Sequence, residues 1–207
     1  MAAALIPERP TLRALREAAA GCKACGLWER GTQTVFGDGD ARARVMLVGE
    51  QPGNEEDLAG KPFVGPAGRL LDKALEEAGI DRGETYVTNV VKHFKWEPRG
   101  KRRIHAKPNA QEIAACRPWL DAEIDLVKPE IIVCLGATAA QALLGRQFRL
   151  TQHRGEFVPS TLPARVIATF HPSAILRAPD DAARRAAMHS FVGDLKVVAA
   201  AIGTGQS

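Results

Sequence analysis

Four short, β-branched apolar runs recur along the chain, at residues 45–48 (VMLV), 85–90 (TYVTNV), 131–135 (IIVCL) and 166–170 (VIATF). Runs of this length with little polar alternation suit strands covered on both faces. Helical signals or loops separate them. Residues 65–79 open with Pro66, suited to a first helical turn, and close on Gly79, suited to a helix stop. Residues 110–127, 137–144 and 183–202 give further helices, with Pro118 expected to kink or interrupt the first. Strands alternating with helices predict an α/β fold around a mainly parallel, four-stranded sheet. Ligands of such sheets sit beyond the carboxyl ends of the strands. That rule selects residues 49–53, 89–107, Gly136 and residues 171–173 as loops that converge on one site.

With 207 residues, 45% of them hydrophobic and 25% charged, the chain matches a single globular domain over 1–207, without repeat or linker. The opening MAAALIPERP has no basic leader followed by an apolar run, and the apolar residues 197–202 fall short of a membrane span. The expectation is a cytoplasmic, monomeric protein with no membrane segment. The net charge of +4 is unevenly placed. Residues 92–107 (KHFKWEPRGKRRIHAK) carry seven Lys/Arg and one Glu, a local +6 that leaves −2 elsewhere. A charged run alone is most simply a solvated loop; beside a ligand site it suits an anionic partner.

Cys22 and Cys25 form a C-x-x-C pair, whereas Cys116 and Cys134 stand apart, one in a helical segment and one in a strand. Disulfides are disfavoured without an export signal, and a redox pair would leave two cysteines unexplained. A zinc site usually closes with a second tight pair, which is missing. A four-thiolate [4Fe–4S] cluster is favoured, with zinc and unliganded core cysteines as the alternatives.

Several motifs then occur in a fixed order: Gly49-Glu50-Gln51-Pro52-Gly53, Pro62-Phe63-Val64-Gly65-Pro66-Ala67-Gly68, Thr88-Asn89-Val90-Val91-Lys92 and His171-Pro172-Ser173, together with the four cysteines. This set resembles the uracil-DNA glycosylase superfamily, family 4, over most of the chain. Gln51 in place of the usual Ala, and the added Lys101-Arg102-Arg103-Ile104-His105, resemble the UdgX type, which bonds covalently to uracil-containing DNA. The resemblance implies a three-layer α/β/α sandwich, a [4Fe–4S] cluster on Cys22, Cys25, Cys116 and Cys134, and base excision in DNA repair.

It also implies roles for single residues. Phe63 would stack on uracil, Asn89 would hydrogen-bond its Watson–Crick edge, and Gln51 would contact the base through its main chain or amide. An amide carries both donor and acceptor, which suits uracil O4 and N3–H. Uracil departs as an anion while positive charge grows on the sugar, so the site needs a donor at the base and a negative group near C1′. His171 suits the first role and Glu50 the second. His105 is expected to be a nucleophile toward C1′, its ring held neutral by the basic run. Lys101, Arg102 and Arg103 would pair with phosphates, as would Ser173 and the backbone N–H groups from Gly65. Flipping a base costs least in single strands, the preferred DNA. A conventional multiple-turnover glycosylase and a non-catalytic iron–sulfur DNA-binding module are the rival readings.

Overall fold

The computed structural model describes residues 2–203. In chain order the strands are β1 (Asp38–Gly39), β2 (Val45–Gly49), β3 (Thr85–Asn89), β4 (Trp96–Arg99), β5 (Arg102–His105), β6 (Ile131–Leu135), β7 (Phe157–Val158) and β8 (Arg165–Thr169). The helices are α1 (Leu12–Ala19), α2 (Asn54–Ala59), α3 (Pro66–Ala78), α4 (Ala110–Val127), α5 (Ala137–Leu144), α6 (Leu150–His153), α7 (Pro172–Leu176) and α8 (Asp181–Gly203).

The four apolar runs pair in parallel, β3-β2-β6-β8. The sheet has six strands rather than the expected four, because β1 and β7 add antiparallel edges to β3 and β8. Each edge strand has two residues, too few to leave a periodic pattern.

Alternation along the parallel strands builds two cores. Met46, Val48, Tyr86, Ile132 and Val166 pack with Leu15 of α1, Trp119 and Leu120 of α4 and Leu143 of α5. Val45, Leu47, Val87, Val133 and Ile167 meet Leu71 and Leu75 of α3 and Phe191, Leu195 and Val198 of α8. Helices on both faces give the three-layer sandwich, and explain why the strands read as unbroken apolar runs. By length and composition alone α8 could cross a membrane; here one of its sides packs into the second core.

Helix α3 begins at Pro66 and stops at Gly79, whose φ of 79° is left-handed, as the sequence predicts. Helix α4 runs through Pro118 without the expected interruption. Asn109 and Glu112 form a capping box at its start, and Cys116, Trp119, Leu120, Ile124 and Val127 are buried along its length. That packing offsets the roughly 3 kcal/mol that an interior proline costs.

Beneath the carboxyl end of β3 lies a buried charge pair. Lys92 and Glu123 side chains are 1% and 0% exposed. Lys92 Nζ donates to Glu123 Oε2 (2.5 Å), Thr88 Oγ1 (2.6 Å) and the Asn89 carbonyl (2.8 Å). Glu123 Oε1 accepts from Gly37 N (3.0 Å), Tyr86 OH (2.9 Å) and Thr88 Oγ1 (3.0 Å). All three ammonium protons thus have acceptors, the condition under which such a pair is tolerated inside a protein.

Candidate active site

The carboxyl ends of the parallel strands open into a cleft of about 640 Å³, lined by Glu50, Gln51, Phe63, Asn89, His105, Gly136, Thr138, His171, Ser173 and Arg177 among others. Gly49, the last residue of β2, makes it possible. A Cβ there would lie 2.4 Å from Asn89 Oδ1 and 2.7 Å from Phe63 Cζ. Phe63 has a left-handed φ of 55°, a strained state for an aromatic residue. The chain accommodates it through Gly68, where a Cβ would fall 1.7 Å from the Phe63 carbonyl oxygen. Folded in this way, the Phe63 ring lies 6.2 Å from that of His171, tilted by 31°.

Asn89 is 2% exposed. Its Oδ1 is the one buried side-chain nitrogen or oxygen without a hydrogen-bond partner among the described residues. Leaving such an acceptor unpaired costs about 1–3 kcal/mol, which a donor on a bound ligand would recover. The Asn89 backbone is fixed on both sides: Lys92 holds its carbonyl, and the next N–H, of Val90, donates to Gly49 O at 2.9 Å.

His171 precedes α7, and its Nδ1 accepts from Ser173 N at 3.1 Å and lies 2.8 Å from Ser173 Oγ. An accepting Nδ1 places the proton of the neutral ring on Nε2. Burial, with help from the charges of Arg177 and His105 and against that of Glu50, pushes the His171 pKa down to about 4. His171 is therefore a neutral imidazole near pH 7. Ser173, expected at a phosphate, is engaged in orienting it.

Glu50 follows β2 directly. Its Oε2 accepts from Thr138 Oγ1, and its Oε1 lies 3.3 Å from His105 Nε2. Burial acts to raise this carboxyl's pKa, but the hydrogen bonds from His105 and Thr138 and the nearby histidines outweigh it and hold it below the usual range.

The basic segment is a hairpin rather than the expected loop. β4 and β5 pair antiparallel with Trp96 opposite His105, and Gly100 takes a left-handed φ of 60° at the turn. Periodicity hid it because charges occupy both faces. Gln51, expected to touch the base through its main chain or amide, lines the cleft, and its amide fastens the hairpin's two ends. Its Nε2 donates to Lys95 O (3.2 Å) and Ala106 O (3.1 Å), and its Oε1 accepts from Lys95 N (3.1 Å). Arg103, expected at a phosphate, lies over the Phe94 and Trp96 rings and bonds Asp57 Oδ2 (2.6 Å) and Asn54 Oδ1 (2.8 Å) on α2. Only Lys101 and Arg102 of the basic triplet remain exposed, at the turn, with no ion pair among the described residues. Gly65 N, a further expected phosphate donor, already donates to Glu56 Oε1 at 2.8 Å.

The model of the uracil DNA glycosylase superfamily matches residues 36–196, a span that holds the sheet, the hairpin and every cleft residue named above. The chain belongs to the uracil-DNA glycosylase superfamily. It is 42% identical over 165 residues to a type-4 uracil-DNA glycosylase of Thermotoga maritima, covering 79% of this chain and 82% of that one. A type-4 enzyme of Pyrobaculum aerophilum is 38% identical over 175 residues, covering 81% and 86%. A type-5 uracil-DNA glycosylase of Thermus thermophilus is 31% identical over 185 residues, covering 79% and 80%.

In this member of the superfamily, the cleft residues that escaped the motif reading include Glu56, Thr138 and Arg177. Thr138 stands two positions after Gly136, a strand-end residue already selected by topology, and Arg177 immediately follows α7. The anchoring of Arg103 carries a testable consequence. Arg103→Ala leaves Asp57, whose side chain is 0% exposed, without its cation, and should cost about 2 kcal/mol or more by urea unfolding, whereas Arg102→Ala should stay within about 0.5 kcal/mol.

Proposed function

We propose that the protein is a uracil-DNA glycosylase that excises uracil, most readily from single strands, and is then captured on the abasic sugar through His105. The observation that carries this reading is the facing of His105 Nε2 and Glu50 Oε1, in the cleft that also holds the unpartnered Asn89 Oδ1.

A flipped uracil stacked on Phe63 would present N3–H to Asn89 Oδ1 and O4 to the amide nitrogen. Cytosine has no proton at N3 to offer that acceptor, so selection follows from an unmet hydrogen bond. His171 Nε2–H donates to O2 as negative charge develops there, and a neutral ring suits the task because it keeps its proton. The N1–C1′ electron pair leaves with uracil as an anion. Glu50, ionised beneath the sugar, stabilises the oxocarbenium ion. Glu50 Oε1 takes the Nε2 proton of His105, and the electron pair of that N–H bond forms the bond from Nε2 to C1′. The products are uracil anion, a protonated Glu50 and a sugar joined to a neutral substituted imidazole, so charge is conserved. Lys101 and Arg102 are placed to meet phosphates, and one chain acts on one site as a monomer.

The cysteines support a [4Fe–4S] cluster in part. Lys92 N donates to Cys116 Sγ (3.3 Å) and Trp119 Nε1 to Cys22 Sγ (3.4 Å), contacts that favour thiolate ligands. Cys22, Cys25 and Cys116 lie within electrostatic reach of one another, although no three-residue metal cage is formed among the described residues. Cys134 differs: it sits within β6, fully buried, and burial alone pushes its thiol up to about 12. Three of the four cysteines thus fit the group, and Cys134 fits the core. A cluster there would fasten the N-terminal segment to α4, and the C1′ chemistry needs no electron from it.

Four outcomes test these assignments. A labelled single-stranded oligonucleotide with one uracil, boiled in detergent and run on a denaturing gel, should give a shifted band with the wild type. His105→Ser should give alkali-labile strands and no shifted band. A wild type that yields only alkali-labile strands is a conventional turnover enzyme, the reading that the names of the type-4 relatives favour. In His105→Ser, single-turnover uracil release should stay level from about pH 8 to about pH 6 and fall only toward the His171 value of about 4. The sign follows because protonation of His171 at Nδ1 removes the acceptor that Ser173 N–H holds, and with it the ring's orientation. The same depressed value makes folding stability decline as pH falls from the ordinary 6.5 toward about 4. Finally, Cys134→Ala should retain iron and visible absorption, whereas Cys116→Ala should lose both.

A further inference from the structure

Thr138 is the second residue of the eight-residue helix α5 and is 7% exposed. No motif reading singled it out. Its hydroxyl donates to Glu50 Oε2, while the other carboxylate oxygen, Oε1, lies 3.3 Å from His105 Nε2. Gly136, Ala137 and Thr138 all line the cleft, so the N-terminal end of α5 borders the same space as the carboxylate. A glutamate side chain has three rotatable bonds, and nothing on β2 itself fixes its last one. We propose that Thr138 is a positioning residue whose hydroxyl holds one oxygen of Glu50 so that the other stays turned to His105.

The assignment rests on the capture reading, in which Glu50 takes the His105 proton as the nitrogen bonds to C1′. The charged and titratable groups around Glu50 are His105 from β5 and His171 from the turn after β8, with Glu56 of α2 and Arg177 also lining the cleft. None of these replaces the Thr138 contact. Glu56 is held by Gly53 N (3.0 Å) and Gly65 N (2.8 Å), and His171 Nδ1 by Ser173. Without the hydroxyl, the carboxylate loses both its orientation and a donor that favours its ionised form.

Thr138→Val keeps the side chain's size and removes only the donor; Thr138→Ser restores the donor on a smaller side chain. Single-turnover capture on uracil-containing single strands, followed across pH, should slow at least about tenfold in the valine variant. Its acid limb should move to higher pH, and more product should be alkali-labile and uncaptured. The serine variant should capture within about twofold of wild type, a rescue that loss of packing does not produce. Capture rate and acid limb unchanged in Thr138→Val, or a serine variant as slow as the valine one, would overturn the assignment. If the wild type releases uracil without capture, the capture reading fails by itself. Thr138 is then judged on uracil release, whose acid limb must still rise in the valine variant and return in the serine one; an unmoved limb overturns it.

Discussion

The ammonium of Lys92 and the carboxylate of Glu123 meet where β3 leaves the sheet, and much of the molecule is arranged around the need to satisfy them. Glu123 draws in Tyr86 and Thr88 from β3 and the Gly37 backbone just before β1, while Lys92 closes on the Asn89 carbonyl. The same lysine's N–H reaches Cys116 on α4. One residue therefore ties the helix layer to the strand end that holds the unpartnered Asn89 amide. A pair of this kind contributes little net stability against an apolar equivalent, but breaking one partner is expensive. It fixes a single arrangement in a place where a small displacement of Asn89 would matter.

Above that pair, the cleft is formed by what is absent as much as by what is present. The missing side chains at Gly49 and Gly68 admit the Phe63 ring and the Asn89 amide over the end of β2. On the opposite wall, Glu50 is reached from three separate elements: Thr138 at the start of α5, His105 at the end of β5 and, through its field, His171 after β8. The two histidines occupy different surroundings. His171 is half-buried, and its Nδ1 is pinned by Ser173 N. The His105 side chain is 52% exposed and open to solvent.

The parallel strands were legible because burial on both faces leaves continuous apolar runs, and the α3 boundaries because Pro66 and Gly79 announce themselves. The two-residue edge strands were not, since nothing periodic fits in two positions. In the site, Glu50, Phe63, Asn89, His105 and His171 do line one cleft, as strand-end topology and the motif order implied. Their supporting contacts were hidden for a physical reason. Gln51 binds backbone atoms 44 and 55 positions away and Arg103 a carboxylate 46 positions away. Such pairings exist only once the hairpin has packed against α2. Residue type misled in the same way: an arginine in a basic run reads as a phosphate contact until a buried aspartate claims it. Cys134 sits in an apolar strand run, IIVCL, and its burial follows that pattern.

The hairpin also separates two tasks along its length. Its base is fastened by Gln51 and its flank by Arg103, while the turn carries Lys101 and Arg102 in solvent. On the proposed reading, the turn supplies long-range attraction to a polyanion, and mobile ions weaken such attraction steeply. The contacts that aim His105 are short and in part shielded from those ions. Ionic strength would then govern how often a strand arrives, and hardly at all what becomes of the sugar once it has been seated.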